Sequence, residues 1–300
     1  MMIRAVALSL SSVTWMPLVS AQEAKSTFEP VVVIWAAGLE TAAVCLGKKH
    51  WFFSVIPDEL EPEDLQSPQL RQEDVTVPVE VIHIDHEQRL CLLECTSGKI
   101  ACEPVTLSST VGVSPGQMLR CQSEDGTCRT TVAGKDFSYL GAPLPMPRLR
   151  VRVEKEKQFC HPGMPLFNQA GQLEGVLTNH VLSSSSEAYA IPASQLRKLI
   201  EDFDRYHRSG KVWVGLVFHD DTATPEVLDV RPDSPASEAG VRVGDVVLKL
   251  NQTSIDDLDK LTESIHELPA GKKVALTVLR GLEQHTLDLV PEFAVSDSEE

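Results

Sequence analysis

Between Glu29 and about Ile191 the apolar residues arrive in short β-rich bursts divided by Pro, Gly and Ser: Val31 to Trp35, Ala42 to Leu46, Trp51 to Ile56, Val77 to Ile84, Leu90 to Cys95, Gln117 to Cys121, Leu149 to Val153 and Gln172 to Thr178. So many short strands bury their apolar faces only by packing sheet on sheet or by closing into a barrel. This pattern constrains the chain more than any other, and it predicts an all-β domain. Residues Pro57 to Glu73, acidic and proline-containing, are predicted to form a surface loop, and Ser183 to Ser186 a polar loop without chemistry of its own.

The period then changes. Ala193 to Tyr206 places Leu196, Leu199, Ile200 and Phe203 at helical spacing, which predicts one helix closing the domain. Arg208-Ser209-Gly210-Lys211 is the expected junction, dividing a chain of 300 residues into a first domain over 22–210 and a second over 211–293. In the second, Ser234 is placed to cap a short helix beginning at Pro235, and Gly240 to end it in a left-handed conformation. Gly244-Asp245 turns into a buried strand, Val246 to Leu250. Asp256 to His266 then carries Leu258, Leu261 and Ile265 at helical spacing, and strands follow at Val274 to Arg280 and His285 to Val290. Residues 294–300 form an acidic tail.

The first 21 residues carry one charge, Arg4, then an apolar run, and close with Val19-Ser20-Ala21. That is the pattern of a secretory signal with a small-residue cleavage site; an uncleaved membrane anchor is the rival reading. Export, periplasmic or extracellular, permits disulfides, and the remaining chain holds all seven cysteines: Cys45, Cys91, Cys95, Cys102, Cys121, Cys128 and Cys160. Cys121 and Cys128 bracket a segment whose Asp125-Gly126 is a hairpin signal, so they are predicted to face each other across paired strands and to bridge. Cys91 and Cys95, in an apolar run, are expected to be buried thiols.

Acidic residues outnumber Lys and Arg by 43 to 27, and a net charge of -16 repels phosphate backbones, which argues against a nucleic-acid partner. His83, Asp85 and His86 form a compact group of metal-type ligands in which His83 and Asp85 share a strand face, but no third or fourth ligand stands at a recognisable spacing. They are expected to be a polar strand end, so no metal and no cofactor is assigned. Asn251-Gln252-Thr253 fits a glycosylation sequon directly after a buried strand.

Gly163-Met164-Pro165-Leu166-Phe167-Asn168 carries a resemblance. In the trypsin-like HtrA/Deg family the nucleophile loop reads Gly-Asn-Ser-Gly-Gly-Pro-Leu-Phe-Asn, and this chain is similar to it from Gly163 onward, with Met164 replacing the second glycine. Pro162 stands at the serine position. Proline offers neither a hydroxyl nor the N–H that helps to hold an oxyanion. Trp51 to Pro57 resembles the strand leading to the family's histidine and puts Pro57 there. Asp85 to Leu93 resembles the aspartate strand and puts Arg89 there, a guanidinium that cannot accept the imidazole's hydrogen bond. The resemblance implies a trypsin-like double β-barrel with a degenerate triad and no peptidase activity of the family's kind. Cys160, beside His161, is the alternative nucleophile of a relocated thiol site, although adjacent residues in an extended loop point apart.

Val230-Arg231-Pro232-Asp233-Ser234-Pro235-Ala236-Ser237-Glu238-Ala239-Gly240-Val241, with Gly244-Asp245-Val246-Val247-Leu248, is similar to the PDZ signature of the same family. The implied architecture is mainly β: the double barrel, then an α+β PDZ domain with a small barrel-like sheet and two helices. By this resemblance the loop Trp213-Val214-Gly215-Leu216 receives a peptide carboxylate, Leu216, Val217 and Phe218 pair with the peptide, and Leu261 and Ile265 line its apolar pocket. The implied function is that of an exported, inactive HtrA-like protein binding peptides or protein C-termini, as scaffold or regulator in envelope protein quality control. An active HtrA-like protease, or further copies of the chain, are the other implied partners.

Overall fold

A computed structural model describes residues 31–35, 38–46, 50–61, 65–101, 103–109, 113–123, 126–138, 146–153, 161–181, 186–219 and 224–294. The export signal, Cys102, Cys160 and the tail beyond Ala294 lie outside the described residues.

The first seven strands are β1 (Val31–Ile34), β2 (Glu40–Cys45), β3 (Trp51–Val55), β4 (Gln69–Gln72), β5 (Val75–Pro78), β6 (Glu80–Asp85) and β7 (Leu90–Glu94), in one sheet ordered β5-β4-β1-β2-β3-β7-β6. The next six are β8 (Met118–Ser123), β9 (Gly126–Ser138), β10 (Met146–Val153), β11 (Pro165–Phe167), β12 (Leu173–Val181) and β13 (Glu187–Pro192), closed into a barrel in the order β10-β13-β12-β11-β8-β9. The predicted all-β domain is therefore two such units. The hinge of their packing is β3, every residue of which is buried. Successive side chains of a strand point to opposite faces. Phe52 accordingly joins Val33, Leu70 and Leu93 inside the first sheet, whereas Trp51, Phe53 and Val55 pack outward on Val176 and Ile191 of the second barrel and on Leu196, Leu199 and Phe203 of α1 (Ala193–Tyr206). α1 ends at His207, which turns left-handed (φ 54°) and donates its N–H to the Phe203 carbonyl.

One expectation is corrected. The segment read as a surface loop, Pro57 to Glu73, contains β4, which pairs with β1 through Leu70↔Val33. Leu70 is its single large apolar residue and is fully buried; Arg71 grips Glu40 of β2 with two hydrogen bonds of 2.6 and 2.9 Å. Neighbouring strands, rather than its own composition, make this segment a strand. The predicted run Val77 to Ile84 is also divided, between β5 and β6.

The second domain comprises β14 (Val212–Trp213), β15 (Leu216–Phe218), β16 (Val227–Val230), α2 (Pro235–Glu238), β17 (Val246–Leu250), β18 (Thr253–Ser254), α3 (Leu258–His266), β19 (Val274–Arg280), β20 (Glu283–Leu289) and β21 (Glu292–Phe293). Its sheet runs β18-β17-β19-β20, beside the ribbons β15-β16 and β14-β21. The caps fall where expected: Ser234 Oγ accepts from Ser237 N at 3.2 Å with Pro235 following, and Gly240 has φ +80°. Asp257, inside the run predicted from Asp256, caps α3 by accepting from Lys260 N at 2.7 Å. Buried Asp245 binds the Arg280 guanidinium at 2.8 Å and accepts from Arg242 N at 2.9 Å, fixing the Gly244-Asp245 turn to the end of β19.

The residues joining the domains are tied down. Lys198 donates to the Gly210 carbonyl (2.6 Å), Ser209 Oγ meets His83 Nε2 (2.7 Å), Lys211 pairs with Glu87 (3.0 Å) and Tyr206 donates to the Ala270 carbonyl (2.9 Å). Among the described residues no helix is long and apolar enough to cross a membrane.

Candidate functional site

Two places merit attention: the cleft between the barrels and the open flank of β15. In the cleft, the loop ahead of β11 is held by its backbone. Ala42 N donates to the Pro162 carbonyl at 2.9 Å and Gly163 N to the Leu177 carbonyl at 2.8 Å. Gly163 has φ +82°, and a Cβ there would stand 2.2 Å from the Ala42 carbonyl oxygen. Glycine is therefore required, both for the dihedral and for the close approach of the two barrels. Met164 turns its side chain inward, where it is buried and its Sδ accepts from His161 N at 2.9 Å. Beneath the loop runs a buried polar chain. Trp35 Nε1 donates to Thr41 Oγ1 (2.7 Å), the Thr41 and Ser54 hydroxyls meet at 2.8 Å, and Ser54 Oγ donates to the Ala42 carbonyl (2.7 Å).

The structure brings Pro57 and Arg89 together. Ile56 N donates to the Arg89 carbonyl at 2.8 Å, while Arg89 Nη2 donates back to the carbonyls of Pro57 and Leu60, each at 2.5 Å, and its Nε lies 3.4 Å from Asp58. Pro162 hangs from Ala42 of β2, which is paired with β3 through Ala43↔Ser54. At these three positions the side chains supply no nucleophilic oxygen or sulfur and no proton acceptor; the guanidinium is occupied as a donor. His161 is exposed, and the Arg71 guanidinium bonded to nearby Glu40 holds that carboxyl below the usual range. Cys160 lies outside the described residues.

The suspected metal-type group has other employment. His83 Nε2 bonds Ser209, and Asp85 accepts from Gln88 N (3.0 Å) and from Ser209 Oγ (3.4 Å). Asp85 and Ser209 border a cavity of only about 10 Å³, room for one water and for no acyl substrate.

Of the cysteines, Cys91 and Cys95 are buried thiols, and burial pushes Cys91 up to about 12. Cys45 is disulfide-bonded, a bridge the hairpin reasoning did not assign. Cys121 and Cys128 are direct register partners across β8 and β9. The Cys121 side chain is fully buried. Oxidation is expected to join register partners so placed. Peptide mapping of chain recovered from an oxidising compartment should find them linked, and free alkylation of both under denaturing, non-reducing conditions would remove that bridge.

At the second place, Gly215 (φ +78°) turns the chain sharply between Trp213 and β15. The carbonyls on either side are used: Val214 O accepts from Ala236 N and Gly215 O from Arg231 N, both at 2.9 Å. Their N–H groups have no acceptor among the described residues. β15 pairs with β16 on one edge only, leaving Leu216, Val217 and Phe218 with an open edge. Leu216, Phe218, Leu258 and Ile265 are partly buried against the domain core. Leu261 is not open to this groove: it is 1% exposed, on the inner face of α3 with Ser264. Helical spacing identified the apolar arc of α3 without showing which part of it faces inward; Leu258 and Ile265, unlike Leu261, are only partly buried.

The PDZ domain family model matches residues 212–290. A probable periplasmic serine endoprotease, DegP-like, from Marinomonas sp. (strain MWYL1) is 27% identical over 150 residues, covering 45% of this chain and 32% of that protein. Serine endoprotease DegS of Haemophilus influenzae is 29% identical over 126 residues, covering 39% of this chain and 37% of its own. The matches thus span about a third of these relatives. Among solved structures, the HtrA-type protease AlgW with tripeptide superposes with a TM-score of 0.60 at 15% identity, over 90% of this chain and 95% of that one. The serine endoprotease from Yersinia pestis gives 0.52 at 16% identity, over 87% and 93%. At such identities the superpositions speak for the fold. With the matched PDZ domain and the endoprotease homologues, the fold makes this chain similar to HtrA-type serine endoproteases.

Proposed function

We propose that this is an exported HtrA-type protein whose barrel domain, 22–210, no longer hydrolyses peptides and whose PDZ domain, 211–293, captures free C-termini. The observation that carries the reading is the pair of backbone N–H groups at Val214 and Gly215, unsatisfied among the described residues, at the head of the open edge of β15. Paired N–H groups at a turn are a natural receptor for a carboxylate, and an open strand edge for the extended segment before it. The last side chain of such a peptide meets Leu216 and Ile265, with Leu258 and Phe218 beyond. Pro57, Arg89 and Pro162 support the loss of hydrolysis. The periplasmic relative and the disulfide at Cys45 support export. The protein would then act as a scaffold or regulator, alongside an active relative or as an assembly of its own copies.

The test is a titration of the full chain with peptides ending in apolar residues, each as free acid and as amide. Amidation removes charge-assisted hydrogen bonds worth about 1.5 to 3 kcal/mol, so affinity should fall on the order of tenfold to a hundredfold. Equal binding of both forms, or none at millimolar peptide, would leave the groove without this role.

A further inference from the structure

Polar groups on the face of α3 turned away from the PDZ core hold it on the barrel domain. Glu263 pairs with Lys135 of β9, and the Glu267 carboxyl, just past the helix, is hydrogen-bonded to Ser194 of α1. Between them His266 lines the 10 Å³ cavity, facing Asp85, Glu87 and Gln88 from the β6–β7 turn, Met146 from β10, Gln195 and Lys198 from α1, and Ser209 and Lys211 from the connecting residues.

The charges around it are already spoken for. Glu87 pairs with Lys211 at 3.0 Å, Lys198 with Asp202 at 2.5 Å, and Asp85 accepts from Gln88 N and Ser209. On its own helix, Glu263 also pairs with Lys260 at 2.8 Å. Arg148 of β10, only 2% exposed, hydrogen-bonds Gln88 and keeps its Nε without a partner. Gln195 Nε2, buried in the cavity wall, is likewise unpartnered. Among the described residues no carboxylate pairs with His266, and Arg148, bonded to the Gln88 and Pro147 oxygens, is a nearby cation that no ion pair offsets.

We propose that this junction is an acid-sensitive latch: neutral His266 lets α3 lie against the barrel, and a proton on His266 releases it. Burial, followed by repulsion from Lys211, Lys198 and Arg148, pushes the docked imidazole down to about 4 from its ordinary 6.5. The sign follows from linkage. A histidine whose value is depressed on docking contributes fully above about 6.5, and that contribution is lost as pH falls from 6.5 towards 4. At pH 5 the docked-to-undocked ratio should be about 30-fold lower on this account alone. His83, lowered mainly by burial at the same junction, acts in the same direction. Glu267 and Asp202, both raised chiefly by burial, act in the opposite one, since acid relieves their buried charge. A variant at position 266 separates its contribution from theirs.

The full chain carries a donor and an acceptor dye on non-natural residues at exposed Asp74 of the barrel and Leu282 of the PDZ hairpin, and urea-driven undocking is followed by energy transfer at pH 7.5 and pH 5. In the native chain the docking constant should fall about 30-fold more between these values than in His266→Gln or His266→Leu. Either variant, if docked at pH 7.5, overturns the latch by keeping the native acid response. Failure of both to dock at pH 7.5 would show that the imidazole is needed for packing, and would overturn it equally. A native chain whose docking constant is indifferent to this pH change would also overturn it.

Discussion

Gly215→Val should abolish C-terminal peptide binding by the full chain. At φ +78° a valine is strained by about 1 to 2 kcal/mol, and its Cβ would stand 2.2 Å from Ser234 Cβ and 2.4 Å from Ser234 Oγ. Ser234 cannot simply move away, because its hydroxyl caps α2 through Ser237 N, an interaction worth about 0.5 to 2 kcal/mol. The damage therefore precedes any ligand: the loop must shift off α2, and the Val214 and Gly215 N–H groups lose their common aim. Calorimetric titration against a free-acid peptide should show no heat, and the PDZ unfolding transition should fall by about 1.5 to 4 kcal/mol, the sum of these terms. A valine variant binding within threefold of the native chain would refute the assignment of this loop as the carboxylate receptor.

The native protein should neither degrade unfolded casein nor be labelled by a fluorophosphonate, and Pro162→Ser should not change this. A serine there gains a hydroxyl and an N–H but no base to take its proton. Pro57→His and Arg89→Asp would be needed together, and the second is costly in this fold. It removes the donor that satisfies the Pro57 and Leu60 carbonyls and places a carboxylate near Asp58, which is 3.4 Å from the present guanidinium. We expect Arg89→Asp alone to destabilise the barrel domain by about 1 to 3 kcal/mol. Casein hydrolysis by the native chain would sink the inactive reading. Thiol-probe labelling lost in Cys160→Ala would replace it with the relocated nucleophile.

Much of this was legible because local residue chemistry and packing agree. The strand bursts, the α1 stripe, and Ser234 with Pro235 and Gly240 each follow rules that act within a few residues. What the sequence concealed depends on distant partners. Gln69 to Gln72 shows one apolar side chain, and only β1 on one flank and β5 on the other make it a strand. Leu261 and Leu258 share an apolar stripe, and which one is buried is decided by where α3 packs in the domain. The interdomain contacts were the least visible of all: His83 and Ser209 are 126 positions apart and meet only in the folded chain. Pro57, Arg89 and Pro162 were found by motif order, and the hydrogen bonds among their loops are what the motif could not supply.

The loop at Pro162 and Gly163 works as a mortise between two barrels, and joinery makes different demands from catalysis. Position 163 is barred to any side chain by the Ala42 carbonyl, while position 162 contributes to the joint only a carbonyl that every amino acid possesses. A chain can thus exchange the residue that would perform chemistry and keep the glycine beside it unchanged, since different forces guard the two. Finding the Gly-x-Pro-Leu-Phe-Asn frame in a genome therefore certifies a carpentry joint, and says nothing of whether a tool is fitted in it.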